Sequence, residues 1–368
     1  MDIENIVRDI VKEIKPYKPG KPIAEVKREL GIKKIYKLAS NENPLGPSPK
    51  AIKAIKIAAA DINRYPESGC FYLKKRLAEV YSIKKDNIIL GNGSDELIAL
   101  TLRTFLRPGD EVIVSKPTFL MYELYSKLEG AELKVVPMNN FKYDLEAILV
   151  AVTDKTKIIF IANPDNPCGT YLSQDELKNF ISRLPDDVVL FHDEAYYEFM
   201  QTDDYPNLFG HIEDRPIIIA RTFSKVYGLA GLRVGYGIAS KRIIEYMNKV
   251  RDPFNVNSLA QAGALAALDD QNFVKKVVEL NRENREYLFK EFKRLGLNYI
   301  KSYTNCIVVE IGDRAQELLS YLLNNGVIVR DMSAWGLGRY IRVTVGLKNE
   351  NALFIKLLEC FLKKEIKK

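Results

Sequence analysis

The feature that most constrains the fold is an alternation of short apolar runs with amphipathic stretches from about residue 85 to about residue 240. The runs are continuously apolar, which is typical of strands buried on both faces of a sheet. The alternation predicts an α/β fold with a mostly parallel, seven-stranded sheet. The seven runs are NIIL (87–90), EVIV (111–114), LKVVP (133–137), KIIFIA (157–162), VVLF (188–191), PIIIA (216–220) and RVGYGIA (233–239).

Helical periodicity fills the stretches between these runs, as in SDELIALTLRTFL (94–106) and SQDELKNFISRL (173–184). Ser173 is a candidate N-cap, because Glu176 follows three residues later and the pair can form a capping box. The sequence therefore predicts helices that connect successive strands.

The pattern changes beyond residue 257. Residues 258–295 lack strand signals and predict long helices. The stretches after them predict a compact α+β unit. We expect an N-terminal segment over 1–40 that packs with this unit, a large domain over 41–265 and a small domain over 266–368. The unit comprises the predicted strands 305–311, 327–332 and 340–346 and the predicted helices 315–326 and 350–364.

The charge distribution limits the possible partners. The 368 residues include 55 Lys and Arg and 48 Asp and Glu, a net charge of +7, with both signs interspersed. The one basic cluster is the terminal LKKEIKK, which is typical of a frayed chain end. No basic stripe with interleaved aromatic residues exists, so we expect no nucleic-acid binding, whereas the mild positive balance suits small anionic ligands.

Cysteine and histidine usage limits the chemistry. Four widely spaced cysteines and two histidines provide neither a CxxC pair nor a histidine cluster. This argues against a metal site, a disulfide framework and a Ser-His-Asp hydrolase. The N-terminus has no apolar signal core, and no run reaches about 18 apolar residues, so we expect a cytoplasmic protein without a membrane partner.

Four polar clusters follow directly after predicted strands. In open α/β sheets, ligands bind beyond the carboxyl ends of the strands. Four such clusters at one edge of the sheet therefore predict a ligand site there. The clusters are GNGSDE (91–96), NPDNPCG (163–169), DEAYYEF (193–199) and TFSK (222–225).

Taken singly, three of these clusters leave alternatives open. GNGSDE suits phosphate binding at a helix start, but Glu96 occupies the position of the third glycine of a dinucleotide fingerprint, and a turn capped by Ser94 or Asp95 is the alternative. Asn166 either faces a ligand or only shapes a turn. Asp193 is a ligand-binding carboxylate or a helix cap.

Lys225 is the most informative single residue, because it stands in a stretch that otherwise predicts burial. Burial lowers a lysine pKa, and a neutral amine attacks aldehydes. Ser224 and Arg233 supply a hydroxyl and a guanidinium that suit a phosphate. An aldehyde and a phosphate on one ring describe pyridoxal 5′-phosphate, whose ring nitrogen needs a carboxylate, and Asp193 can provide it.

Several longer stretches give the chain a family resemblance. TFSKVYGLAGLRVGYG (222–237) with DEAY upstream resembles the fold-type I pyridoxal-phosphate aminotransferases. NRYPE (63–67) and SNENPLGPSP (40–49) resemble the histidinol-phosphate aminotransferases among them. The resemblance extends from KPYKPGKP (15–22) to the final helix. It implies a large domain with the seven-stranded sheet and a smaller α+β domain.

The resemblance also implies a role for individual residues. Lys225 would attach the cofactor and move protons, and Asp193 would pair with the ring nitrogen. The remaining cofactor contacts would come from Asn166 and Tyr196 on the phenolic oxygen, Phe119 on the ring face, and Ser94, Asp95, Ser224 and Arg233 on the phosphate. Tyr65 would reach the phosphate from the neighbouring subunit of a homodimer. Substrate would be bound by Tyr17, Asn43, Arg330 and Arg342.

The implied reaction transfers an amino group between a small-molecule donor and a keto acceptor. We expect L-histidinol phosphate and 2-oxoglutarate to be interconverted with imidazole-acetol phosphate and L-glutamate by ping-pong kinetics. An aromatic amino-acid aminotransferase and a threonine-phosphate decarboxylase share every cofactor motif and remain alternatives. A cofactor-sensing regulator is a further alternative, although such proteins carry an additional DNA-binding segment.

Overall fold

The computed structural model describes residues 2–14, 16 and 20–363 of the chain. Its strands are β1 (Tyr36–Leu38), β2 (Ile88–Gly91), β3 (Glu111–Lys116), β4 (Glu132–Pro137), β5 (Thr156–Ala162), β6 (Val189–Asp193), β7 (Ile217–Thr222), β8 (Gly235–Ile238), β9 (Cys306–Glu310), β10 (Val327–Asp331) and β11 (Tyr340–Thr344). Its α-helices are α1 (Asp9–Glu13), α2 (Ile23–Leu30), α3 (Pro49–Ala58), α4 (Phe71–Tyr81), α5 (Ser94–Phe105), α6 (Leu120–Leu128), α7 (Leu145–Ala151), α8 (Gln174–Arg183), α9 (Lys241–Val250), α10 (Ser258–Leu268), α11 (Gln271–Arg294), α12 (Ala315–Asn324) and α13 (Lys348–Lys363).

The larger sheet has seven strands in the order β2-β8-β7-β6-β5-β3-β4. Every neighbouring pair from β7 to β4 is parallel, and only β8 runs antiparallel to both of its neighbours. The predicted mostly parallel, seven-stranded α/β sheet is thereby confirmed. The carboxyl ends of β7, β6, β5 and β3 lie side by side, and we call this line the carboxyl edge.

Burial on both faces explains the continuous apolar runs. In β5, Ile158 and Phe160 belong to the core on one face of the sheet, while Ile159 and Ile161 belong to the core on the other. Successive side chains of a strand point to opposite faces, so a strand covered on both sides has no solvent-facing positions.

The boundaries of some predicted elements differ from the observed ones. The run at 233–239 predicts a strand from Arg233, but β8 begins at Gly235, because Arg233 has a left-handed backbone with φ of 55°. The capping box at the start of α8 is confirmed, since Glu176 N donates to Ser173 Oγ and Ser173 N donates to Glu176 Oε2.

The smaller sheet has four strands in the order β1-β10-β11-β9. Its register places Arg330 directly opposite Arg342 on the antiparallel pair β10 and β11. The N-terminal segment contacts the smaller sheet and also a helix that packs on the larger sheet. Strand β1 pairs with β10, while Arg8 Nη2 near α1 donates to the Leu128 carbonyl at the end of α6, at 2.8 Å. Among the helices in the described part of the chain, none has the length and apolarity to cross a bilayer.

Candidate active site

The topology of the larger sheet brings the predicted site residues together. Lys225 follows β7, Asp193 ends β6, Asn166 follows β5 and Phe119 follows β3, and these four strands are consecutive neighbours. Their carboxyl ends meet at one edge, as expected for a ligand site in an open α/β sheet. The carboxyl edge therefore presents an amine, a carboxylate, an amide and an aromatic ring to the same space.

Asp193 is a buried carboxylate with neutral partners. It is 5% exposed, and it accepts hydrogen bonds from the Tyr122 hydroxyl at 2.7 Å and from the Ala195 backbone N–H at 3.0 Å. Burial raises its pKa to about 6, against the lowering effect of these two donors. In residues 2–14, 16 and 20–363, no cation lies at ion-pair distance from it. The pocket therefore lacks the positive charge that would stabilise the ionised carboxylate.

Lys225 is half-buried in the loop after β7. Burial lowers its pKa, and the positive charge of Arg342 lowers it further. Its Nζ lies 5.5 Å from the centre of the Tyr196 ring. A lysine in this environment has a larger neutral fraction than an exposed lysine, and the neutral amine is the nucleophilic and basic form.

Tyr196 is oriented by Asn41, a residue that the sequence analysis did not assign to the site. The Asn41 Nδ2 donates to the Tyr196 hydroxyl at 2.8 Å and to the Cys306 Sγ at 3.2 Å. Because an amide nitrogen can only donate, the Tyr196 hydroxyl accepts this bond and keeps its own proton for another acceptor. Asn41 lies in SNENPLGPSP, so its motif was noted although its role was missed.

The start of α5 and the loop after β7 together form a candidate anion-binding surface. Helix α5 begins at Ser94, with Asp95 next to it and Gly93 at its N-cap. The Arg233 guanidinium lies beside Gly93, where the Cβ of any other residue would collide with it. Free N–H groups at a helix start attract anions, and the guanidinium adds a full positive charge.

Two further predicted residues lie beside the Arg233 guanidinium, and one of them, Asp95, is a carboxylate that offsets part of its charge. The Arg233 Nη2 lies 3.1 Å from the Asp95 carboxylate, and its Nη1 lies 3.5 Å from the Ser224 Oγ. Strand β8 lies close to the start of α5 because Gly235 has no side chain. A Cβ at Gly235 would lie 2.6 Å from the Ser94 backbone N. The predicted residues Ser94, Asp95, Ser224 and Arg233 therefore converge at one end of the site.

Two buried arginines of the smaller sheet face the carboxyl edge. Arg342 is 6% exposed, and its Nη1 donates to the Asn166 Oδ1 at 2.6 Å while its Nη2 donates to the Ala39 carbonyl at 3.1 Å. Arg330 is also buried and lies opposite it in the sheet. The predicted substrate residues Arg330 and Arg342 are thus side by side, and one of them contacts a predicted cofactor residue.

The remaining predicted residues are Tyr65, Asn43 and Tyr17. Tyr65 is 84% exposed and stacks on Phe254, with ring centres 4.8 Å apart. Asn43 donates to the Val226 carbonyl and accepts from the Leu45 N–H, so it braces the loop beside Lys225, and its substrate role stays a prediction. Tyr17 lies outside the described residues.

Comparison with known proteins places the chain in a family. The family model described as aminotransferase class I and II matches residues 33–353. A histidinol-phosphate aminotransferase of Moorella thermoacetica is 46% identical over 353 residues, which cover 95% of this chain and 92% of that protein. The enzyme of the same name from Desulfotalea psychrophila is 47% identical over 357 residues, with coverage of 96% and 94%.

The fold agrees with this relationship. The crystal structure of histidinol-phosphate aminotransferase from Sinorhizobium meliloti, in complex with pyridoxal-5′-phosphate, is 28% identical and has a TM-score of 0.89, covering 96% of this chain and 98% of that one. The sheet order, the carboxyl edge and the sequence identity lead to one conclusion. The chain belongs to the aminotransferase class I and II family and has the fold-type I architecture of pyridoxal-phosphate aminotransferases.

Proposed function

We propose that this chain is a pyridoxal-phosphate-dependent aminotransferase that interconverts L-histidinol phosphate and 2-oxoglutarate with imidazole-acetol phosphate and L-glutamate in histidine biosynthesis. The observation that carries the proposal is the position of Lys225 and Asp193 at the carboxyl edge, opposite the two buried arginines Arg330 and Arg342. The names and the 46–47% identity of the relatives support the choice of substrate.

The residues of the carboxyl edge fit pyridoxal phosphate at three separate points. Asp193 is a buried carboxylate without a cationic partner in the described residues, so a protonated ring nitrogen would supply the missing charge. The Tyr196 hydroxyl keeps its proton for the phenolic oxygen, and Asn166, which Arg342 contacts, would be its second partner. The anion-binding surface at the start of α5 suits the phosphate.

The bound cofactor would supply an electron-withdrawing ring that stabilises charge on the substrate α-carbon. Lys225 acts on that carbon as the general base, because burial and the neighbouring Arg342 charge lower its pKa and favour the free amine. Asp193 would keep the ring nitrogen of the bound cofactor protonated. Phe119, the residue before α6, would supply an aromatic face for the ring.

The two arginines account for two unlike anionic substrates. Glutamate presents a carboxylate where histidinol phosphate presents a phosphate ester, so one site must bind both groups. A guanidinium matches both with its planar fork of donors. Arg342 is rigidly held by Asn166 and the Ala39 carbonyl, and Arg330 adds a second charge for the more highly charged phosphate.

We further propose that the enzyme is a homodimer with shared active sites. Tyr65 and Phe254 form an exposed aromatic pair, and other large apolar side chains nearby in sequence are exposed as well. An accumulation of exposed large apolar side chains is typical of a protein interface. The exposed residues include Ile57, Ile62, Phe71 and Tyr72.

Separate half-reactions test the substrate assignment. The purified holoenzyme is mixed in turn with glutamate, histidinol phosphate, phenylalanine and threonine phosphate, and the absorbance change of the cofactor is followed. We expect rapid conversion with glutamate and histidinol phosphate. Preference for phenylalanine over histidinol phosphate would identify an aromatic aminotransferase, and release of CO₂ from threonine phosphate would identify a decarboxylase.

A further inference from the structure

Trp335 connects the smaller sheet to the loop after β3 of the larger sheet, which we call the cofactor loop. It is the only tryptophan of the sequence, is 8% exposed, and lies in the short 3₁₀ turn Ser333–Trp335 between β10 and β11. Its indole Nε1 donates to the Thr118 carbonyl at 2.8 Å. Thr118 precedes Phe119, so the indole is fixed to the loop that carries the proposed cofactor-stacking ring.

The Trp335 ring lies against both substrate arginines. Its centre is 5.2 Å from the Arg330 Cζ and 5.7 Å from the Arg342 Cζ. An aromatic face attracts a cation at this range. Trp335 and Arg330 also line a cavity of about 1250 Å³ together with Phe119, so the arrangement borders open space rather than closed core.

An aromatic ring orients a cation without neutralising it. In the described part of the chain, Arg342 has no carboxylate at ion-pair distance, and its partners are the neutral oxygens of Asn166 and Ala39. A carboxylate in the place of Trp335 would cancel the charge and compete with an anionic substrate. The ring holds the guanidinium in place and leaves its full charge for the ligand.

We propose that Trp335 is a positioning residue for substrate binding, whose ring holds Arg330 and Arg342 side by side so that the same two cations receive the carboxylate of one substrate and the phosphate of the other. This inference deepens the proposed function and rests on it. Trp335 acts through the two arginines, and its bond to Thr118 fixes the ring relative to the cofactor loop.

Calorimetric titration of the holoenzyme with glutarate tests this role. Glutarate has the two carboxylates of glutamate but neither an amino nor a keto group, so it binds without reacting. We expect Trp335→Leu to raise the glutarate Kd about tenfold, because the variant removes the aromatic face that both guanidinium groups contact. Trp335→Phe keeps an aromatic face and should stay within about threefold of the wild type.

A second measurement separates positioning from general destabilisation. In the glutamate and histidinol phosphate half-reactions, Trp335→Leu should raise the substrate concentration for half-maximal rate about tenfold and change the maximal rate by less than about threefold. The matched control is Tyr340→Leu, which removes an aromatic ring from the same apolar cluster, where that ring packs against Phe141. This control should lower Tm without changing the glutarate Kd.

The outcomes that overturn the inference are distinct from failure of the proposed function. A wild-type Kd for Trp335→Leu, an equal loss in Trp335→Phe, or an equal rise in Tyr340→Leu would each refute it. Should the leucine variant fail to fold, Trp335→Met, which keeps more side-chain volume, carries the same test. If the wild-type enzyme does not react with histidinol phosphate in its half-reaction, the proposed substrate is refuted. The glutarate Kd values still decide the role of Trp335.

Discussion

Asp193 and Glu194 are adjacent in the chain, and their surroundings are opposite. Both are buried, at 5% and 1% exposure. Burial raises the pKa of Asp193 to about 6, since its partners are a hydroxyl and a backbone N–H. Burial also acts on Glu194, but the Arg221 charge and the neighbouring His192 outweigh it, and the pKa of Glu194 is lowered.

The buried charge of Glu194 is paired with that of Arg221. Arg221 donates to the Glu194 Oε2 from Nε at 2.7 Å, and its Nη2 lies 2.6 Å from the same oxygen. The guanidinium also lies 3.5 Å from the centre of the Tyr197 ring and 4.7 Å from that of Tyr81. The buried charge of Glu194 is therefore paired with a buried cation, whereas no cation lies at ion-pair distance from Asp193 in the described residues. This difference is the physical reason for proposing a structural role for Glu194 and a ligand-binding role for Asp193.

We expect the largest effect from a variant that changes the proposed ligand site and leaves the Glu194–Arg221 pair intact. Lys225→Ala removes the attachment point and the general base, so transamination should fall by about 10⁴-fold or more while the fold persists. Borohydride treatment should no longer fix cofactor to the chain. The matched control is Lys241→Ala, an exposed lysine near Asp86, which should behave as wild type. A yellow Lys225→Ala protein that still retains reduced cofactor would contradict the assignment.

The second prediction concerns the buried ion pair of Glu194 and Arg221. Arg221→Met leaves Glu194 buried without its cation, which should cost about 3–5 kcal/mol of folding free energy. Urea unfolding at fixed protein concentration measures this loss. The double variant Glu194→Leu/Arg221→Met removes both charges and should recover most of it. If the single variant is as stable as the wild type, the charge cluster does not have the structural role given to it here.

The third prediction concerns the pH dependence of folding stability, to which Asp193 and Glu194 should contribute with opposite sign. In cofactor-free protein, the Asp193 pKa of about 6 lies above its unfolded value, so this carboxyl destabilises the folded state as pH rises from about 4 to about 6. Below that window the penalty is absent, and above it the penalty reaches about 3 kcal/mol. Asp193→Asn should therefore gain stability over wild type between pH 4 and pH 7, although it loses transamination.

Glu194→Gln is the contrasting variant for this experiment. The folded-state pKa of Glu194 is lowered, so its carboxylate stabilises the fold at neutral pH and this contribution is lost as pH falls. Glu194→Gln should accordingly lose stability at neutral pH and differ less from wild type in acid. Urea midpoints across pH check both variants, and parallel curves for the two would remove the distinction between the two carboxylates.

The prediction with the smallest expected effect tests whether a second subunit contributes Tyr65 to the proposed ligand site. Tyr65→Phe should weaken cofactor retention about tenfold, the equivalent of about 1.4 kcal/mol for one hydrogen bond to a charged group. Tyr72→Phe is the control, since Tyr72 is another exposed tyrosine. Mixing Tyr65→Phe with Lys225→Ala subunits should restore one intact site per heterodimer. No gain in retained cofactor on mixing would count against shared sites.

The sequence predicted those features of the site that local pattern determines. Lys225, Asp193 and Asn166 each follow a continuously apolar run, and parallel strands bring such positions to one edge. Which strands are neighbours was not predicted, because strand order depends on contacts between residues that are far apart in the chain. The shorter β8 was not predicted either, because the left-handed backbone of Arg233 is not visible in the apolar pattern.

Spacing along the chain and side-chain chemistry suffice to predict the fold class, the two-sided burial of the sheet and the amine and carboxylate at its carboxyl edge. The partners of those groups depend on the three-dimensional fold. Asn41 reaches Tyr196 across 155 positions, and Trp335 reaches Thr118 across 217. Asp193 and Glu194 look alike in the sequence, and their charges differ in effect because Arg221, from the next strand, pairs with only one of them. Burial and distance set the strength of a charge interaction, and neither is a property of sequence spacing.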